Sequence, residues 1–292
     1  MADAFTVLLD ATVAHLEVLR ADGVRFVPVS AAVLAELKLP SARGAASPVP
    51  PRAPVRPAAP SPVPPAPPVS RAPAAPALPS PLAPPARAAA MEEIRQRALG
   101  CLKCPHLART RKSVVFGVGD VNAALMFVGE APGADEDAQG EPFVGKAGQL
   151  LTKIIQTMGL SREGVYIANI LKCRPDTPGQ AWGNRPPTAD EMDTCKPYLM
   201  AQIDIIQPRV IVALGATAVQ GLLDTKSSMS ALRGRWQGFR GIPVMPTFHP
   251  AYLLRNQSLT EKRKVWEDML LVLEKLGLPI TEKMRGYFLK AG

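Results

Sequence analysis

Several features that would point quickly to a function are scarce or missing in this chain. No apolar run approaches the ~20 residues that a membrane-spanning helix needs, so no membrane association is expected. The first residues, Met-Ala-Asp-Ala-Phe, lack the basic stretch that opens a signal peptide, and a cytoplasmic location is expected. Only four cysteines occur; in a chain read as cytoplasmic they fit metal or cluster ligands better than a disulfide framework. Histidine is rarer still, at three among 292 residues. No internal repeat is present, and residues 40–90 contain no acid at all.

That acid-free stretch holds 18 of the 32 prolines, many alanines and five arginines. Such a composition has little with which to build a core and reads as a disordered, semi-rigid linker. It separates a small appendage, residues 1–39, from a main domain, residues 91–292. In the appendage Phe5, Leu8, Leu9, Val13, Leu16 and Leu19 recur at helical spacing, and Ser30 can cap a second short helix. Helices this short are marginal alone, so the appendage is expected to dock, either on an unknown protein or on the main domain. The formal charge of +9 leaves about +6 on residues 91–292. A basic domain fits a polyanionic partner such as nucleic acid, although a solvated basic surface gives the same count. A monomer is expected.

From residue 91 the apolar pattern alternates. A basic helix is expected at about Met91–Leu99. Strands are expected at Ala124–Gly129, Val165–Ile170, Arg209–Leu214 and Pro243–Phe248, separated by helices at Ala147–Met158, Thr188–Ile206, Thr217–Leu223 and Glu261–Leu276. The order implies a three-layer α/β/α sandwich around a central four-stranded parallel sheet. Each strand runs into a distinctive segment: Gly129-Glu-Ala-Pro-Gly133, Asn169, Gly215-Ala-Thr217 and His249-Pro-Ala-Tyr252. All four would meet at the carboxyl edge of the sheet, where open α/β folds bind ligands.

The first of these segments begins the loop Gly129–Gly148, dense in glycine and acid. Its carboxylates include Glu130, Asp135, Glu136, Asp137 and Glu141, interleaved with Phe143, which suggests a shaped pocket with a stacking wall rather than a solvated acidic loop. Gly140-Glu-Pro-Phe-Val-Gly-Lys-Ala147 nearly matches a phosphate loop. Ala147 lacks the hydroxyl for magnesium, however, and Pro142 lacks an N–H for the cradle, so a nucleotide hydrolase is not expected. His249, at a strand end opposite the acidic loop, is a candidate for chemistry. Leu253 and Leu254 are either core residues or wedges for a base stack.

Cys101 and Cys104 form a C-x2-C pair, with Cys173 and Cys195 far downstream. A redox dithiol would use only the first pair. A zinc site and an iron–sulfur cluster would each use four thiolates, and spacing does not choose between them.

Taken together, residues 92–278 resemble the family 4 uracil-DNA glycosylases, the iron–sulfur branch of the uracil-DNA glycosylase superfamily. The resemblance rests on Cys101-x2-Cys104, Gly129–Gly133 with Glu136-Asp137, Pro142-Phe-Val-Gly145, Tyr166-Ile-Ala-Asn169, Cys173-Arg-Pro175, Cys195 and His249–Leu254, in that order. One departure is a longer stretch between Cys173 and Cys195. A sister group traps DNA covalently through a histidine; none occurs between His106 and His249 here, so that chemistry is not expected. The resemblance implies a [4Fe–4S] cluster on Cys101, Cys104, Cys173 and Cys195, and uracil-containing DNA as partner. It implies a monofunctional glycosylase of base excision repair that leaves an abasic site. The expected catalytic residues are Glu136 and His249, with Glu130 and Asp137 next. Gly129, Ala131, Phe143 and Asn169 would bind uracil; Leu253 or Leu254 would fill the vacated stack, with Arg255 near phosphate. The rival readings are a glycosylase for hypoxanthine or xanthine and a cluster-bearing nucleic-acid-binding module without catalysis.

Overall fold

The computed structural model describes residues 83–177, 184–225 and 227–289. The expected appendage and nearly all of the expected linker lie outside the described residues. In chain order the elements are α1 (Pro84–Leu99), α2 (Pro105–Thr110), β1 (Val118–Gly119), β2 (Leu125–Gly129), α3 (Ala134–Gln139), α4 (Lys146–Thr157), β3 (Tyr166–Asn169) and α5 (Ala189–Ile206). There follow β4 (Val210–Leu214), α6 (Ala216–Leu223), α7 (Met229–Leu232), β5 (Gln237–Phe239), β6 (Ile242–Thr247), α8 (Pro250–Arg255), α9 (Leu259–Leu276) and α10 (Glu282–Gly286).

The strand order is β1-β3-β2-β4-β6-β5. The four expected strands are the inner ones and run parallel, with Gly129 opposite Asn169 and Leu125 opposite Val210. The sheet has six strands, which corrects the expected four. The two additions, β1 and β5, are short antiparallel edge strands, each containing a glycine. Neither is long or apolar enough to stand out in the sequence. Short edges also limit pairing with other chains.

Every residue of β2 and of β4 is buried, as a sheet covered on both faces requires. Successive side chains point to opposite faces. Met126, Val128, Ile211 and Ala213 join one core with α1, α5 and α6. Leu125, Phe127, Val210 and Val212 join the other with α4 and α9. The expected three layers are present.

Local chemistry sets the helix ends. Thr188 Oγ1 accepts from the Glu191 N–H (3.2 Å) while the Glu191 carboxylate accepts from the Thr188 N–H (2.8 Å), a reciprocal cap that starts α5. Ser258 caps α9, which stops at Gly277 in the left-handed conformation. Helix α1 begins earlier than expected, inside the stretch read as linker, because Pro84 and Pro85 occupy a first turn where proline's missing N–H is harmless.

Phe127 is fully buried at the centre of β2. Phe127→Ala should lower stability by about 3–5 kcal/mol in denaturant unfolding of the folded domain. A loss below about 1 kcal/mol would contradict this packing.

Candidate active site

The carboxyl ends of the parallel strands do converge. One cavity of about 180 Å³ is lined by Glu136, Asn169 and His249, together with Ala131, Gly133, Phe143, Ala147, Asn184 and Ala251. Residues more than a hundred positions apart in sequence thus face a common space.

Asn169 ends β3 and is almost wholly buried. Its Oδ1 is the buried side-chain atom, among the described residues, that lacks any hydrogen-bond partner. An orphaned buried acceptor costs about 1–3 kcal/mol, so the position favours a ligand that brings an N–H. Gly129 lies opposite it; a Cβ there would fall 2.4 Å from Asn169 Oδ1 and 2.5 Å from Phe143 Cζ. Only glycine leaves both side chains in place. From behind, the Lys172 ammonium donates to the Asn169 carbonyl (2.9 Å) and to Gln202 Oε1 (2.6 Å). Sequence reading missed Lys172, since a lysine three residues past a strand normally faces water.

His249 follows β6 and caps α8. The Ala251 N–H donates to His249 Nδ1 (3.2 Å), which leaves the ring proton on Nε2. Burial pushes the imidazole down to about 4, and the positive charge of Arg255 acts in the same direction. The ring is therefore a neutral N–H donor at neutral pH. It lies 5.6 Å from the Phe143 ring, tilted by 33°. Gly215 passes so close that a Cβ there would be 3.0 Å from His249 Cβ.

Glu136 lines the cavity through a carboxylate that is already engaged. Oε2 accepts from the Gly133 N–H (3.0 Å), and Oε1 from the N–H groups of Val144 (3.1 Å) and Gly145 (3.0 Å). These bonds cap α3 and the start of α4 together, and they hold an anion at a fixed place.

The other candidates separate. Asp137, expected near the chemistry, is buried away from the cavity: its carboxylate accepts from the N–H groups of Lys112 (3.0 Å) and Ser113 (3.2 Å). It ties α3 to the segment after α2. Glu130 is half-buried and not among the lining residues. Ala131 lines the cavity directly. Leu253 is buried in a separate apolar cavity of about 230 Å³ with Ile154 and Trp266, so it packs the core. Leu254 and Arg255 are exposed. Asn184 was not foreseen. Arg174 Nε donates to its Oδ1 (2.8 Å), and its Nδ2 lies over Gly133.

The four cysteines line one further cavity, with Leu107 and Leu171. All four are free. Arg111 Nη1 donates to Cys173 Sγ (3.2 Å), and the Lys172 N–H to Cys195 Sγ (3.2 Å). Burial pushes the Cys195 thiol up to about 11 and raises Cys104 and Cys173 as well. Thiols so placed become ligands when a cation takes up their charge. Among the described residues, no three His, Cys, Asp or Glu side chains are grouped to hold a metal ion.

A profile of the uracil DNA glycosylase superfamily matches residues 116–270. The type-4 uracil-DNA glycosylase of Thermotoga maritima is 48% identical over 188 residues, covering 63% of this chain and 93% of that protein. The chain belongs to this superfamily, in its type-4 group. The type-4 enzyme of Archaeoglobus fulgidus is 42% identical, over 59% of this chain and 87% of its own. A type-5 uracil-DNA glycosylase of Pyrobaculum aerophilum is 29% identical, over 56% of this chain and 84% of its own. Superfamily membership fits the cavity's position at the sheet edge and accounts for the α/β/α layers.

Because the folded-state imidazole of His249 lies below its ordinary 6.5, stability linked to it is full above pH 6.5 and falls away as pH drops toward about 4. NMR titration of the ring should show a neutral Nε2–H tautomer throughout the range pH 5–8. A midpoint near 6.5 would remove the neutral-donor reading.

Proposed function

We propose that this chain hydrolyses the N-glycosidic bond of uracil in DNA, releasing the base and leaving an abasic site. The observation that carries the reading is the buried, unpartnered Oδ1 of Asn169 in a cavity shared with His249 and Glu136. Uracil offers an N3–H donor beside its O4 acceptor, which a primary amide matches with both its oxygen and its nitrogen. Cytosine presents the reverse pattern at those atoms and leaves the amide unsatisfied, at about 1–3 kcal/mol.

In the reaction the C1′–N1 bond breaks, negative charge builds on the leaving base and the sugar becomes oxocarbenium-like; a water then adds its oxygen to C1′, and the proton it releases balances the charge of the departing uracil. His249 donates from Nε2 to O2 as that charge grows, with no proton to lose first. Glu136 supplies the fixed anion that complements the sugar's positive charge. With three N–H groups already on its oxygens, it serves better as an electrostatic partner and water anchor than as a free base. Phe143 stacks on the extruded ring. Leu254, exposed on α8, fills the vacated stack, and Arg255 beside it meets phosphate. Among the described residues no lysine lines the cavity, which supports a monofunctional enzyme rather than one forming a Schiff base.

Cys101, Cys104, Cys173 and Cys195 would hold a [4Fe–4S] cluster. A cluster spreads its four ligands over four irons, so a ring of thiols around a cavity suits it better than it suits a single zinc ion. Bound there, the group would supply a structural tie between the segment before α2, the loop after β3 and α5. No helix among the described residues is long and apolar enough to cross a membrane.

Purified protein should be brown, with broad visible absorption and iron and sulfide in equal amounts; colourless, zinc-loaded protein would remove the cluster. His249→Ala should lower the single-turnover rate on a uracil oligonucleotide by about 10²–10³-fold. Full activity in that variant would refute its role. Asn169→Asp should relax discrimination against cytosine or abolish activity, and an unchanged substrate profile would count against it as the reader.

A further inference from the structure

Phe143 is the wall on which the base would stack, and it is held in a backbone conformation that phenylalanine rarely adopts. Its φ is +55°, in the left-handed region. An aromatic residue stays there only where its surroundings leave no alternative.

Three contacts supply that constraint. After Phe143, the N–H groups of Val144 and Gly145 are fixed on Glu136. Beside it, the first turn of α4 presses so close that a Cβ on Gly148 would fall 1.8 Å from the Phe143 carbonyl oxygen. Before it, the Arg162 guanidinium donates through Nη2 to the Pro142 carbonyl. Arg162 comes from the turn between α4 and β3, and its Nη1 reaches Thr152 Oγ1 on α4 (3.4 Å). Burial lowers its pKa, as expected for a cation drawn under the loop rather than left in water. Proline has no N–H of its own, so the stretch before Phe143 relies on its carbonyl for anchorage.

We propose that Arg162 is a positioning residue for the extruded base. By holding the Pro142 carbonyl it keeps Phe143 in the left-handed conformation that turns the ring toward His249, and so sets how tightly the cavity grips uracil. This rests on the glycosylase reading above, and nothing in the cavity itself points to it, since Arg162 does not line the site.

The test is a double-mutant cycle with free uracil as the probe. Arg162→Met keeps the reach of the side chain but removes its donors. It should weaken inhibition by free uracil about tenfold, in the range expected for a lost base–aromatic stack. KM for a single-stranded uracil oligonucleotide should rise in parallel, with a smaller change in the saturating single-turnover rate. Arg162→Lys should recover part of the loss. In a Phe143→Ala background Arg162→Met should add little, because the ring it positions is gone. Uracil inhibition equal to wild type in folded Arg162→Met overturns the proposal, as does a loss that adds in full to that of Phe143→Ala. If Arg162→Met does not fold, the same cycle run with Arg162→Leu, which also lacks donors, decides by the same criteria. Wild-type protein that releases no uracil would remove the glycosylase reading and the proposal with it; release by wild type with an additive cycle removes the proposal alone.

Discussion

The carboxylate of Glu136 collects the N–H groups of Gly133, Val144 and Gly145, and in doing so closes the loop that leads from β2 into α4. The rest of the cavity depends on this closure. Phe143 sits inside the closed loop, Asn184 leans over its Gly133 end, and Ala147 on α4 completes the wall. Two short helices begin where the carboxylate binds, so their free N-terminal amides are satisfied by an anion, as the helix dipole favours. The same negative charge that organises the loop also faces the cavity, held at a fixed place by three N–H groups.

The cavity's electrostatics are consistent with that arrangement. It offers one fixed anion, one neutral donor and one unsatisfied acceptor. Desolvation keeps His249 uncharged, and the Ala251 N–H fixes its tautomer, because a protonated Nδ1 would face another donor. Polar groups arranged before the reaction, in a site shielded from water, act more strongly than the same groups in solvent.

Much of this was legible in the sequence, for a physical reason. Parallel strands bury both faces and read as continuous apolar runs, so their ends can be located and the residues just beyond them assigned to one edge. Asn169 and His249 were assigned to that edge in this way, and Glu136 through the acidic loop that follows β2; all three line the cavity. What failed was direction. Glu136 and Asp137 are neighbours on α3, and a helix turns by about 100° between them, so one meets the cavity while the other meets Lys112 and Ser113. Leu253 and Leu254 divide in the same manner between core and solvent. Asn184 had no strand to mark it; it owes its position to Arg174 and to a bridge with Asp176. Edge strands β1 and β5 escaped notice because two or three residues carry no periodicity.

The strand order has a consequence for how the molecule assembles. The central strand β2 pairs with β4, which lies some eighty residues later, and β6 pairs with the other edge of β4. Such non-local parallel pairing must meet a loop-closure cost before contacts reward it, and it folds slowly. His249 lies just past the end of β6, at the start of α8. Asn169 and His249 therefore share one cavity only when β3, β2, β4 and β6 are all in register, so the cavity belongs to the complete sheet and to no smaller piece of it.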